Sequence, residues 1–114
     1  MHHIWIEGMD LKLFMTGLQV FESLDPCKIP IHHMQVFLFI AEKESCTYKD
    51  IENEFNISNA SASRIAHSLG EYVRHRQTCL GLVDIYIDPK EGRRYRLRLT
   101  KKGMSIKRTL EQIK

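Results

Sequence analysis

Small side chains, most of them polar, fill a stretch of the sequence in which a helix is expected to begin. Residues 58–63 of the segment NISNASASRIAHSL (56–69) are all Ser, Asn or Ala. Such residues add little to a hydrophobic core, but their short side chains let a helix lie close against another molecule, and their hydroxyl and amide groups offer hydrogen bonds. The composition therefore indicates a helix that contacts a partner through polar groups.

Helical geometry divides this segment into two faces. Ala62, Ile65, Ala66 and Leu69 are expected to point into a core, which leaves an outward set of Asn59, Ala60, Ser61, Ser63, Arg64 and His67. In a DNA major groove Asn can pair with adenine, Arg with guanine or phosphate, Ser with either kind of group, and Ala with a thymine methyl. Ser58 suits the N-cap, where backbone N–H groups can hold a phosphate. The alternative is a polar stripe on a protein-binding helix.

A second group of candidate residues lies around a turn. The segment DPKEGRR has a Pro and then a Gly, with Lys90, Arg93 and Arg94 close by. Arginine at such a tip can enter the narrow minor groove of A·T-rich DNA. Arg96 and Arg98 share a strand face with Arg94 and are expected to serve phosphates or solvent. For these two, a hairpin kept soluble by its charges is the competing interpretation.

Charge is unevenly distributed along the 114 residues. Residues 1–57 hold four Lys or Arg against nine acidic residues, whereas residues 58–108 hold twelve Lys or Arg against four acidic residues. A basic half joined to an acidic half suggests a polyanion partner on one face. A basic surface that is merely solvated would give the same count.

Hydrophobic spacing predicts four helices in the first seventy residues. The first spans 9–24, and the second starts near Pro30 with Met34, Phe37, Leu38 and Ala41 on one face. Thr47 and Asp50 approximate a capping box for a third helix over 48–55. Asn56 can adopt the left-handed backbone that ends a helix, and Ser58 then caps the fourth.

The hydrophobic period changes after Gly81. Residues 82–88 and 93–100 alternate as strands do and flank the Pro-to-Gly turn, and Thr100 is a suitable cap for a last helix over 101–114. The chain is therefore predicted to be one domain over residues 1–114, mostly α with a β-hairpin (α+β). Two helices joined by a tight turn and followed by a basic hairpin are typical of a winged helix-turn-helix.

These segments resemble the MarR family of winged-helix transcription regulators. TYKDIENEFNISNASASRIAHSL (47–69) is similar to that family's helix-turn-helix, with a polar cap, a Ser-rich helix start and Arg64. GLVDIYIDPKEGRRYRLRLTKKG (81–103) is similar to its wing, through Gly81-Leu82, Asp88, Arg93-Arg94, Leu99-Thr100 and Lys102-Gly103. The sequence departs from the family's pattern in a longer link over 70–80, in a shorter last helix and in Asn56 at a common Gly position.

The resemblance implies a homodimeric, sequence-specific regulator, most often a repressor, bound to a pseudo-palindromic site on double-stranded DNA. It implies dimerisation through the first and last helices, about residues 9–24 and 100–113. Thr47, as the polar cap of the motif, joins the candidate DNA contacts, which are then Thr47, Ser58, Asn59, Ala60, Ser61, Ser63, Arg64, His67, Lys90, Arg93 and Arg94. An effector ligand is left open.

Other classes of function have weaker support. The His2-His3 and His32-His33 pairs are adjacent, so they do not converge on a metal, and His75 with Cys79 lacks an orienting third group for catalysis. We therefore expect no enzyme, no cofactor and no metal. Cys27, Cys46 and Cys79 suit reduced thiols of a cytoplasmic protein, and no stretch suits a membrane span. The main alternative is a winged-helix interaction module, an adaptor or an inhibitor of a host factor, that does not bind DNA.

Overall fold

Five helices and a small antiparallel sheet make up the part of the chain that the computed structural model describes, which is residues 8–24, 29–70 and 80–114. In chain order the elements are α1 (Leu11–Glu22), α2 (Ile31–Lys43), β1 (Cys46–Thr47), α3 (Tyr48–Phe55), α4 (Asn59–Leu69), β2 (Val83–Ile87), β3 (Tyr95–Leu99) and α5 (Lys101–Glu111). This arrangement confirms the predicted α+β winged helix-turn-helix. The hairpin β2–turn–β3, residues 83–99, is called the wing below.

Local capping explains where the helix-turn-helix begins and ends. The Thr47 side chain accepts from the Asp50 backbone, and the Asp50 carboxylate accepts from the Thr47 backbone, which is a complete capping box for α3. Asn56 then ends the helix in the left-handed region, with φ 53°. Ser58 opens α4 by accepting from the backbone of Ser61. These features confirm the predicted bounds of α3 and the predicted cap of α4.

The core lies where α2, α4 and the sheet meet. Helix α4 contributes Ala62, Ile65, Ala66 and Leu69, all of them buried, as the sequence predicts. The small Ala62 and Ala66 let α4 approach its neighbours closely, and the larger side chains of α2 and the sheet fill the remaining space. The inward face of α4 is therefore committed to packing, which leaves its opposite face for contacts with other molecules.

The buried face of helix α2 overlaps the predicted one at Phe37 and Ala41 and differs from it at Leu38. Val36, Phe37, Ile40 and Ala41 are its buried residues, whereas Leu38 is 46% exposed. The prediction placed Leu38 inside and was wrong, because α2 packs on α4 and β3 through a stripe that starts at Val36. The predicted first helical residue, Pro30, precedes the helix with extended backbone.

The sheet has three strands in the order β1–β3–β2, where the sequence predicted a two-stranded hairpin. Strand β1 is only two residues long and pairs Cys46 with Leu97. A two-residue strand shows no alternation, so only its pairing with the wing reveals it. In β3, Leu97 is fully buried, while Arg96 and Arg98 point to the other side.

Helix α5 begins directly after the wing and touches the sheet at a glycine. Thr100 caps it by accepting from the Gly103 backbone, and Thr100 also donates to the Gly81 carbonyl. Gly103 is buried, and a Cβ there would collide with the Leu82 carbonyl. The close contact therefore requires glycine at this position and fixes α5 relative to the wing.

Helices α1 and α5 contact each other and border an apolar groove of about 600 Å³. A Cβ on Gly17 of α1 would lie 3.8 Å from the Leu110 side chain of α5. The groove walls also include Phe14, Met34 and Leu38. Apolar side chains of α1 remain exposed beside it, and Leu11 is 80% exposed.

Some predictions fall outside the described residues. These concern the link over 71–79 with His75 and Cys79, the thiol of Cys27, and the pair His2-His3. Among the helices that the structure does describe, none is long and apolar enough to cross a membrane.

Candidate nucleic-acid interface

The outer face of α4 presents the candidate residues in two degrees of exposure. Asn59, Ala60 and Arg64 are exposed, whereas Ser61, Ser63 and His67 are half-buried. The structure therefore brings all six to the same side of the helix, opposite its core residues. The three exposed residues occupy the first two turns of the helix, which are the turns that a major groove would receive.

Hydrogen bonds order the first turns of α4. The Ser58 hydroxyl lies 3.2 Å from that of Ser61, and Arg64 donates to the Ser61 hydroxyl, also at 3.2 Å. Ser61 thus holds the exposed guanidinium along the helix surface. This neutral contact uses one of the five N–H groups of the guanidinium, so the side chain remains able to donate to a base or a phosphate.

Asn59 is held by the preceding helix. Its side-chain nitrogen donates to Glu52 at 3.0 Å, and Glu52 lies 3.9 Å from the Lys49 nitrogen. The contact fixes the Asn59 amide relative to α3, and it also brings a carboxylate to the rim of the candidate surface. An approaching phosphate would be repelled by Glu52 but attracted by Lys49, which is exposed.

Two other candidates have structural roles. Thr47 is only 6% exposed and its hydroxyl serves the capping box, so its side chain offers little surface to DNA. The Nδ1 atom of His67 lies 2.7 Å from the Ser63 carbonyl oxygen, one turn earlier on α4. A carbonyl accepts only, so Nδ1 carries the proton in this contact.

Asp88 organises the wing turn. It is 4% exposed, and its carboxylate accepts from the backbones of Lys90 and Glu91 and from the side chains of Arg94 and Arg96. The hydrogen bond from the Lys90 backbone is the largest influence that lowers the pKa of Asp88, and it is supported by Arg94 and opposed by burial. The carboxylate is therefore ionised at neutral pH and holds the turn together.

The wing cations do not behave as one group. Arg94 lies 3.2 Å from Asp88, so it is committed to the turn even though about half of its side chain is exposed. Lys90 and Arg93 are exposed and form no ion pair with any acid in the described ranges. The sequence predicted that both arginines project from the tip, and the structure leaves that role to Arg93 and Lys90.

The cationic face of β3 is largely satisfied from within. Arg98 pairs with Asp84 at 3.0 Å and lies over the ring of Tyr86, 4.1 Å from its centroid. Arg96 donates to the Ser45 hydroxyl at 2.9 Å, and Ser45 lies 2.8 Å from the Tyr86 hydroxyl. The sequence predicted that Arg96 and Arg98 contact phosphates or solvent. It missed the contact of Arg96 with Ser45, because the two residues are 51 positions apart along the chain.

The described residues show no metal site, and their cysteine, Cys46, is unsuited to act as a nucleophile. No group of three or more His, Cys, Asp or Glu within residues 8–24, 29–70 and 80–114 could hold a metal ion. Cys46 is buried, and burial is the main cause that raises the pKa of its thiol to about 11. Since the thiolate is the reactive form, Cys46 is a packing residue.

Comparison with known proteins gives matches at the level of structure. Neither a protein-family model nor a curated protein matches the sequence. A mutant MarR from E. coli complexed with operator DNA matches with a TM-score of 0.62 at 16% identity, over 90% of this chain and 69% of that chain. An S. aureus MepR mutant bound to an oligodeoxyribonucleotide matches with a TM-score of 0.66 at 19% identity, over 90% and 68%.

A third structure, named Multiple Antibiotic Resistance Repressor, MarR, matches with a TM-score of 0.60 at 19% identity, over 94% of this chain and 75% of that chain. The resemblance noted in the sequence is thus confirmed in the fold. This chain has the winged helix-turn-helix fold of MarR and MepR.

Proposed function

We propose that this chain is a sequence-specific, double-stranded DNA-binding transcription regulator of the MarR type, which acts as a homodimer and represses. One observation carries the proposal: the polar outer face of α4 belongs to the same domain as a wing tip whose exposed cations, Lys90 and Arg93, form no ion pair with the described acids. The proposal includes no enzymatic activity and no cofactor.

In this proposal α4 is the recognition helix and enters the major groove. Arg64 and Asn59 contact base edges, Ala60 lies against a thymine methyl, and Ser58 with Ser61 holds a phosphate at the start of the helix. Ser63 and His67 line the half-buried side of the same surface. Thr47 acts through the capping box that fixes α3, and its buried side chain is not among the proposed DNA contacts.

The wing contributes contacts of a different kind. Arg93 enters the adjacent minor groove and Lys90 approaches a phosphate, because both are exposed at the tip. Arg94 shapes the turn through its ion pair with Asp88. Its guanidinium is still partly exposed and can approach the DNA backbone. Support for DNA as the partner comes from the two similar structures that hold operator DNA and an oligodeoxyribonucleotide.

Dimerisation is proposed through α1 and α5. The groove that α1 and α5 border together with α2 is apolar, and the exposed side chains beside it include Met9, Leu11 and Met15. A second copy would cover this surface, and a two-fold dimer would present two α4 helices to a pseudo-palindromic site. Repression is supported by the name of a similar structure, which calls that protein a repressor.

A gel shift on genomic fragments at several salt concentrations tests the proposal. We expect a subset of fragments to shift, with an affinity that falls steeply as salt increases, because phosphate contacts release counterions. Absence of a shift at low salt would overturn DNA binding. The acidic half of the chain, residues 1–57, would then favour a winged-helix interaction module, an adaptor or inhibitor of a host factor.

A further inference from the structure

Three hydroxyl side chains lie between the recognition helix and the wing. Tyr48 opens α3, Ser63 lies on α4, and Tyr95 opens β3. The rings of Tyr48 and Tyr95 have centroids 6.5 Å apart, inclined at 55°. Ser63 acts on Tyr48 from the neighbouring helix, where its side chain lowers the pKa of the Tyr48 phenol. Residues from three separate elements thus form one patch, called the hydroxyl patch below.

Tyr95 is the exposed member of the hydroxyl patch. It shares a strand face with Leu97, which is fully buried, yet Tyr95 itself is 50% exposed because the sheet extends past the core at this end. Its cross-strand partner Ile87 is 56% exposed. A large aromatic ring and a branched aliphatic side chain are therefore both open to a partner on the side of the sheet that faces the helices.

The phenol of Tyr48 is a neutral donor near neutral pH, because its pKa is raised from the ordinary value. Burial raises the pKa of Tyr48, the Ser63 side chain lowers it, and the neighbouring Tyr95 raises it. A neutral phenol can donate to a phosphate oxygen without carrying a charge of its own. Tyrosine is among the side chains that contact DNA phosphates and thereby set the register of a protein on the duplex.

The position of the hydroxyl patch determines what it would meet on DNA. When a recognition helix lies in a major groove and a wing tip lies in the adjacent minor groove, one sugar–phosphate strand separates the two grooves. The surface between helix and wing must then lie over that strand. In this chain that surface carries Tyr95, with Tyr48 and Ser63 beside it.

We propose that the hydroxyl patch is a phosphate-binding site, in which the Tyr95 hydroxyl donates to a backbone phosphate between the two grooves, and Tyr48 with Ser63 positions its ring. This inference rests on the proposed function. The contact fixes the orientation of the recognition helix relative to the wing on DNA. It involves no base and adds no charge to the interface.

Replacing Tyr95 with Phe removes the proposed donor and leaves the ring. We expect Tyr95→Phe to weaken binding about tenfold to a hundredfold, the range for one hydrogen bond to a charged acceptor. The loss should be equal on the specific site and on a scrambled duplex, and the salt slope should stay unchanged because no cation is lost. Fluorescence anisotropy with both duplexes at several salt concentrations measures all three quantities.

Tyr86→Phe is the matched control. It removes the same atom from the opposite face of the same sheet, where the Tyr86 hydroxyl contacts Ser45. We expect this variant to bind like the parent. An equal loss of DNA affinity in both variants would show that each hydroxyl affects binding only by stabilising the sheet. That result would overturn the phosphate contact.

A neutral methylphosphonate placed at one phosphate at a time locates the contact independently of folding. At the contacted phosphate the parent should lose affinity, and Tyr95→Phe should lose less, since its donor is already absent. Equal losses in both proteins at every phosphate would overturn the inference even if Tyr95→Phe weakens binding.

The two proposals fail in different ways. If the parent and Tyr95→Phe bind the specific site equally well, while Arg64→Ala binds it more weakly, the hydroxyl patch is not a phosphate site and the regulator function stands. If the parent binds no duplex, both proposals fall, and the exposed pair Tyr95 and Ile87 would then suit a protein partner.

Discussion

At the scale of single residues, the hydrogen bonds around each cation separate those that are available to a partner from those that hold the protein together. Within the described residues, the one contact of Arg64 is with a neighbouring hydroxyl on its own helix, whereas Arg94, Arg96 and Arg98 each have an aspartate within 3.5 Å. An ion pair that is already formed must be broken or shared before the cation can serve a phosphate. The available cations therefore dominate the proposed interface.

Arg64→Ala should weaken binding to the specific site by about 1–3 kcal/mol if the guanidinium pairs with a base. The loss should be smaller on a scrambled duplex, because base contacts discriminate and phosphate contacts do not. Titration of both duplexes measures the difference. A loss of the same size on every sequence would show that Arg64 contacts phosphate only, and unchanged affinity would remove it from the interface.

Arg93→Ala and Arg94→Ala should have different effects, the first on DNA binding and the second on protein stability, although the two residues are adjacent. Loss of the exposed Arg93 should lower the salt slope by up to about 0.9 for its phosphate contact, and should cost most affinity on sites with A·T-rich flanks. Arg93→Lys should restore most of the salt slope but not the flank preference, since lysine keeps a tighter hydration shell.

Arg94→Ala should instead loosen the turn through Asp88 and lower the thermal stability of the protein. Binding against salt on two sites that differ only in their flanks, together with thermal unfolding, separates the two variants. Indistinguishable variants would contradict the division of roles at the wing tip.

At the scale of elements, Asp88 connects the wing turn to β3, so the stability of the wing should fall in acid. Because the folded-state pKa of Asp88 lies below its ordinary value of 3.8, its contribution to stability is complete above that value and disappears as pH falls through the lower, folded-state pKa.

The stabilities of the parent and of Asp88→Asn should therefore differ by a constant amount from about pH 7 to about pH 5 and converge at lower pH. Urea unfolding of both proteins across this range measures the free energy of unfolding. A difference that persists unchanged at the lowest pH at which the parent still folds would contradict this role of Asp88.

Local patterns predicted most elements, and long-range contacts account for what was missed. Thr47 with Asp50, and Asn56 before Ser58, define helix ends through neighbours within three residues, so the sequence alone locates them. Strand β1 and the contact of Arg96 with Ser45 depend on pairing across about fifty residues. Alternation correctly placed Arg94, Arg96 and Arg98 on one face. It could not show that all three form ion pairs with aspartates of the same domain.

Buried and exposed faces were harder to predict than helix bounds. Leu38 and Phe37 are adjacent and both apolar, and only the contact of α2 with α4 and β3 decides which of them is covered. The outward set on α4 was predictable because its inward residues repeat at spacings of three and four.

At the scale of the whole molecule, the apolar surface between α1 and α5 predicts self-association. Phe14 lines the groove and is half-exposed, so Phe14→Asp should shift a dimer toward monomer. Ile87→Asp, at a similarly exposed apolar residue of the wing, should leave the dimer intact. Sedimentation at micromolar concentration measures the mass. A parent that remains monomeric would count heavily against the homodimer.

The central claim is that this winged helix reads a specific sequence in double-stranded DNA. Selection of duplexes from a random pool by the purified protein, followed by sequencing, tests it most directly. The account predicts enrichment of a two-fold-symmetric consensus, with half-sites about one helical turn apart and A·T-rich flanks where the wings lie. A pool that stays random after repeated selection would contradict the claim.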